Sequence, residues 1–370
     1  NMINIRKKRI FVLVLIFAII ILSLIIYLLF NKLSSSSYLK EDGTQIPENS
    51  NSLTNISSEE SDSNSDLTND YSFEDLTIPY LRSRQYTGKL GNLEKLNENN
   101  TYTTFLTSYD SDGLRINGLL TIPKGEEPEN GWPAIVFVHG YIPPQEYETT
   151  KNYVSYVDFL AKNGFVVFKI DLRGHGKSEG EAEGGYYSSG YVIDTLNAYN
   201  ALLTSDFVNP EKVGLWGHSM AGNVIFRAFV AKKDIKAISI WAGAVYTYSD
   251  LAEYRISDNS YRPPSQESES GKKRNLLFEK YGSFDPNNEF WMKVVPTNYL
   301  DGLEGAVQIN HAVDDPVVSI EYTRNLSSVL LESNLKYEVH EYPTGGHNIS
   351  GPAFNEAMKN TVDFYKRTLN

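Results

Sequence analysis

Gly217-His218-Ser219-Met220-Ala221-Gly222 sets one serine among small residues. The short apolar stretch Val213-Gly214-Leu215-Trp216 precedes it, and a helix-patterned stretch from Met220 to Ala231 follows. Small neighbours let a strand and a helix approach closely, which puts such a serine on a sharp turn with its hydroxyl exposed. A hydroxyl is a weak nucleophile until a base takes its proton, so the motif calls for a histidine elsewhere in the chain. A serine that merely caps a helix among convenient glycines would look the same and need no partner.

The chain has 6 histidines. His139 and His218 flank motif glycines and read as loop-structure residues. His175 lies in a loop after a strand, where bonding to the backbone is its expected work. His311 follows a strand end, and His340 lies within a strand. His347 stands in Gly345-Gly346-His347-Asn348, a glycine-rich loop between the last strand and the last helix, where an imidazole can swing over the sheet edge. It is the expected base.

The imidazole needs an acceptor that fixes its tautomer and stabilises its charged form. Asp314 and Asp315 follow the strand ending near Asn310, and either can turn towards His347. Asp315, directly before Pro316-Val317-Val318, is favoured. A developing oxyanion needs preorganised donors. The backbone N–H of Met220, at a helix start, is one candidate, and that of Tyr141, in His139-Gly140-Tyr141 after a buried strand, is the other. The Tyr141 ring can also serve as a pocket wall.

The elements that must position these residues alternate. A hairpin is expected from Tyr102 to Ile122, turning at Asp110-Ser111-Asp112-Gly113. Short apolar strands at 134–138, 165–170, 213–216, 235–241, 306–309 and 336–342 are separated by helical segments, from Asn152–Lys162 to a last helix at 352–369. This pattern predicts an α/β fold, a mostly parallel, doubly wound sheet covered on both faces, with an N-terminal antiparallel hairpin. One irregular polar stretch, about 246–291, contains Arg262-Pro263-Pro264-Ser265 and is expected as a lid or cap insertion. The order Ser219, Asp315, His347 then places all three past carboxyl ends of strands, where ligands gather in open α/β sheets.

Ahead of this domain, Arg6-Lys7-Lys8-Arg9 precedes an apolar run from Ile10 to Phe30, long enough at about 1.5 Å per residue to cross a bilayer of roughly 30 Å. The run exceeds a signal-peptide core and lacks a small-residue cleavage site. It predicts a single uncleaved transmembrane helix at 10–30, with residues 1–9 cytoplasmic and the rest held outside. Residues 31–79, rich in Ser, Asn and acids, predict a disordered acidic linker before a domain spanning 80–370.

The net charge of −12 argues against a nucleic-acid partner. The absence of cysteine excludes a disulfide framework, a thiolate metal site, a cysteine nucleophile and a lipoprotein anchor. No cofactor and no metal are expected. The expected partners are a small-molecule ester or peptide substrate and, through the N-terminal helix, a membrane.

From about Thr103 to the C-terminus the chain resembles the α/β-hydrolase superfamily, through His139-Gly140, Asp171-Leu172-Arg173-Gly174-His175-Gly176, Gly217-His218-Ser219-Met220, Asp315 with Val318, and Gly346-His347. The stretch Pro296-Thr297-Asn298-Tyr299-Leu300, leading to His311-x-x-x-Asp315-x-x-Val318, is similar to the catalytic domain of prolyl-oligopeptidase-type peptidases and related esterases. Ala221, Ala312 and Ser319 depart from residues common there. The resemblance implies serine hydrolysis by an acyl-enzyme and leaves the substrate open. With the residues before Thr103 read mostly as anchor and tether, no peptidase propeller is expected, which favours a carboxylic ester over a peptide. Peptidase or acyltransferase chemistry and a catalytically silent binding protein are the alternatives.

Overall fold

The computed structural model describes residues 72–254 and 256–369. Nine strands form one sheet in the order β1-β2-β3-β5-β4-β6-β7-β8-β9. The first three are β1 (Glu94–Glu98), β2 (Tyr102–Ser111) and β3 (Leu114–Pro123), all antiparallel to their neighbours; β3 also runs antiparallel to β5 (Val166–Ile170). From β5 onward the sheet is parallel through β4 (Trp132–Val138), β6 (Val208–His218), β7 (Ala237–Trp241), β8 (Ala306–Ala312) and β9 (Lys336–Tyr342). The carboxyl ends of β4, β6, β8 and β9 therefore share one edge.

Alternation along the central strands divides the core into two layers. On β4, Ala134, Val136 and Val138 join one cluster, while Ile135 and Phe137 join the other. Period-two side-chain geometry requires this of a strand buried on both faces. Helices α3 (Gly190–Leu203), α4 (Met220–Ala231) and α8 (Glu321–Glu332) cover the first layer. Helices α2 (Val154–Lys162) and α9 (Pro352–Thr368) cover the second.

Several expectations are corrected. The folded part does not wait for residue 80. A 3-10 turn, Glu74–Leu76, and helix α1 (Ile78–Ser83) precede it, with Phe73, Leu76, Ile78 and Leu81 buried in the first layer. The acidic composition hid four apolar side chains spaced to face one way. The expected linker thus ends before Phe73. Its remainder and the expected membrane segment lie outside the described residues, among which no helix is long and apolar enough to cross a membrane. Strand β1 escaped notice because all five of its residues are exposed, and its pairing is made by backbone alone.

The stretch 246–291 is not irregular throughout: nearly half of it is helical, in α5 (Ser249–Tyr254), α6 (Glu269–Tyr281) and the first half of α7 (Glu289–Val294). Side chains of Ser268 and Asn288 cap the last two by accepting N–H groups of their first turns. Helix α6 buries only Gly271 and Leu277, too narrow a stripe to show as amphipathic periodicity.

Candidate active site

Strand β6 ends at His218 and α4 begins at Met220, leaving Ser219 alone to make the turn, at φ 56° and ψ −122°. A positive φ is costly for a residue with a Cβ and survives only where the surroundings impose it. The close approach that imposes it needs glycine nearby. A Cβ on Gly217 would lie 2.7 Å from the Ala221 carbonyl oxygen, and one on Gly222 would lie 2.8 Å from the Gly243 Cα. The Ala221 methyl is accommodated in the core and is fully buried.

His347 meets this serine. Its Nε2 lies 2.9 Å from Ser219 Oγ, and its Nδ1 lies 2.8 Å from Asp315 Oδ2. A carboxylate oxygen can only accept, so Nδ1 carries the proton and Nε2 faces the hydroxyl with a free lone pair. The Asp315 side chain is fully enclosed. Burial alone would raise its pKa, yet hydrogen bonds from His311 and His347 and the Val318 N–H hold it well below the usual carboxylate range. Its Oδ1 accepts from the N–H groups of Val317 and Val318, at 2.8 and 3.0 Å. Asp314 has separate work: its Oδ1 accepts the Gly346 N–H at 2.8 Å, pinning the loop that carries His347.

His311 was a missed partner. Buried at the end of β8, it brings Nε2 within 3.1 Å of Asp315 Oδ2 and 3.0 Å of the Val318 carbonyl, while Nδ1 sits 2.7 Å from Thr323 Oγ1. The four-residue spacing from His311 to Asp315 was the available signal. His139, expected to serve loop structure, and His175, expected to bond to the backbone, stay out of this constellation. Each is buried with its pKa lowered by burial, and each bonds through Nδ1 to a backbone carbonyl, of Gly140 and Arg173. In the Asp171–Gly176 stretch, Asp171 accepts from Tyr147 and Thr149, and Arg173 forks onto Asp194 of α3.

Tyr141 and Met220 border a cavity of about 710 Å³ together with Ser219. Met220 is the first residue of α4, so its N–H is among those a helix leaves without an internal acceptor. Tyr186, Tyr187, Leu251 and Tyr261 supply much of the remaining wall, on the loop before α3 and on the insertion between β7 and β8. That size suits a small organic ligand. The insertion is tied down on three sides. The Arg262 N–H donates to Tyr141 Oη at 2.8 Å, Ser270 donates twice to Glu181 at 3.2 Å, and the Ser257 N–H donates to the Val317 carbonyl at 2.9 Å.

Comparison with known proteins gives the same frame. The family model for serine aminopeptidase S33 matches residues 132–256, and that for the C-terminal domain of BAAT and acyl-CoA thioester hydrolases matches 196–368. Human dipeptidyl peptidase 8 is 25% identical over 252 residues, 66% of this chain and 26% of its own length. The thiohydrolase aneE of Aspergillus aculeatus is 32% identical over 148 residues, 40% of this chain and 43% of its own. Among solved structures, an acetyl xylan esterase from Paenibacillus sp. R4 superposes with a TM-score of 0.57 at 18% identity, covering 77% of this chain and 91% of the esterase. Dipeptidyl peptidase 4 of Porphyromonas gingivalis gives 0.56 at 17%, covering 72% and 36%. The chain has the α/β-hydrolase fold. The chain spans about a quarter of the length of the dipeptidyl peptidase it matches and under half of the thiohydrolase.

Proposed function

We propose that this α/β-hydrolase cleaves carboxylic esters through an acyl-enzyme on Ser219. The supporting observation is the polarity of one chain of contacts: an enclosed carboxylate on Asp315, a proton on His347 Nδ1, and a bare Nε2 lone pair 2.9 Å from the serine hydroxyl. As Ser219 Oγ attacks the ester carbonyl, its proton passes to His347 Nε2. The imidazolium so formed is stabilised by Asp315, which stays ionised. The new oxyanion is received by the N–H groups of Tyr141 and Met220, each such donor worth about 3–4 kcal/mol in the transition state. Collapse expels the alcohol, which takes the proton from Nε2, and water repeats the sequence to release the acid.

A peptide substrate is the second reading, favoured by the aminopeptidase model and the identity to dipeptidyl peptidase 8. Ester cleavage is preferred on the likeness to the acetyl xylan esterase, which covers 77% of this chain. The test compares nitrophenol release from short acyl esters with nitroaniline release from aminoacyl anilides. Wild type should release nitrophenol with a burst and take up a fluorophosphonate probe, and Ser219→Ala should do neither. Labelling of Ser219→Ala would assign another nucleophile, and faster anilide than ester turnover would make the enzyme a peptidase.

A further inference from the structure

His218 and Tyr153 lie beside the reacting groups, the His218 ring packed on that of His347 with centroids 4.7 Å apart, and their hydrogen bonds form one continuous chain. The Gly140 N–H donates to Tyr153 Oη at 3.0 Å, Tyr153 Oη lies 2.8 Å from His218 Nδ1, and His218 Nε2 lies 2.8 Å from the His347 carbonyl oxygen. Each link has only one possible direction. The carbonyl has no proton, so His218 Nε2 carries one and donates it. The ring is buried, and burial together with the neighbouring His347 pushes its pKa down to about 3, so it is neutral and Nδ1 is bare. Tyr153 therefore donates its hydroxyl proton to Nδ1 and accepts from Gly140.

This chain joins the loop after β4, which presents Tyr141, to the loop after β9, which presents His347. The structure makes room for it at a cost. Gly140 must be glycine, since a Cβ there would lie 2.8 Å from Tyr153 Oη and 3.0 Å from His218 Nδ1. Tyr153 itself takes a left-handed conformation, φ 61°, directly before α2. One residue farther along the same loop, Tyr156 of α2 donates to the Asn348 carbonyl at 2.7 Å. Two successive carbonyls behind the base are thus held by side chains.

We infer that His218 and Tyr153 are positioning residues, a buried bridge that fixes the distance between the oxyanion-binding loop and the base loop across Ser219. The inference rests on the acyl-enzyme reading above. The hydrogen bonds of the bridge end on the Gly140 N–H and the His347 carbonyl, and none reaches the Ser219 hydroxyl or the His347 ring nitrogens. It acts on the placement of His347 Nε2 relative to the Tyr141 N–H, which matters for the transition state and little for the ground state.

The test is Tyr153→Phe, which keeps the ring packed against Phe137 and Trp216 but removes the hydroxyl, stranding the Gly140 N–H and the bare His218 nitrogen. With active sites counted by burst titration, kcat for nitrophenyl acetate should fall about tenfold to a hundredfold, the range expected when reacting groups shift by up to 1 Å. KM should stay within about twofold, because substrate binding does not use the bridge. Affinity for a boronic-acid transition-state analogue should fall in proportion to kcat. His218→Gln, which still reaches the His347 carbonyl with an N–H, should retain more activity than His218→Leu, and this pair carries the test if Tyr153→Phe does not fold. A wild-type kcat per titrated site in Tyr153→Phe, a loss confined to KM, or equal activity in His218→Gln and His218→Leu would overturn the inference. Failure of the wild type to release nitrophenol would instead remove the ester reading beneath it.

Discussion

His218 shows how burial fixes a proton and what that costs in acid. In an unfolded chain a histidine takes up a proton near pH 6.5. In this fold the ring resists protonation until about pH 3. Between those values the unfolded state binds more protons, so stability falls as pH falls, by about 5 kcal/mol across the whole window for this one group. His139 and His175, also pushed down by burial, act in the same direction. Thermal unfolding between pH 7 and 4.5 should show a steep loss of stability that is shallower in His218→Gln; an unchanged slope would assign the loss to other groups. Ser219 and His347 were legible from the sequence because each sits between glycines at the end of a strand. His218 and His311 were not, because their roles depend on which backbone carbonyl or carboxylate the fold brings opposite them.

At the scale of elements, the parallel strands and their helices could be read from apolar runs, since a strand buried on both faces has little else it can be. The insertion was harder. Its helices are held by caps and by contacts with loops distant in sequence, and neither leaves a periodic trace. Tyr141 joins the two levels, because its N–H is the proposed oxyanion donor while its hydroxyl accepts from Arg262 in the insertion. Tyr141→Phe keeps the backbone donor and the ring but removes that bond. One hydrogen bond of about 1 kcal/mol shifts the balance between seated and loosened insertion by roughly fivefold. A bulky aromatic ester that leans on the wall should therefore show a KM raised up to about fivefold, while KM for an acetyl ester should barely move. Equal change for both esters would show that Tyr141 Oη does not govern the wall.

For the whole molecule, the question is where the folded part begins, and composition placed that boundary too late. Phe73, Leu76 and Ile78 each withdraw a large apolar side chain from water, worth about 1.5–3 kcal/mol apiece. The same turn also serves a buried cation. The Arg227 guanidinium donates to the Leu76 carbonyl at 2.9 Å, to Ser189 Oγ at 2.7 Å and to the Ser188 carbonyl at 2.6 Å. Removing Leu76 leaves a fully buried charge short of an acceptor, a loss that costs more than the bond itself gives. Lys273 of the insertion pairs with Asp75 at 2.6 Å, so the same deletion also loosens the cavity wall. A protein beginning at Ser72 should unfold at the temperature of the full chain's folded domain and keep the proposed esterase activity. One beginning at Tyr80 should lose several kcal/mol, enough to leave a typical domain largely unfolded near 37 °C. Equal melting temperatures for the two would mean that the 73–78 segment rests on the core without stabilising it.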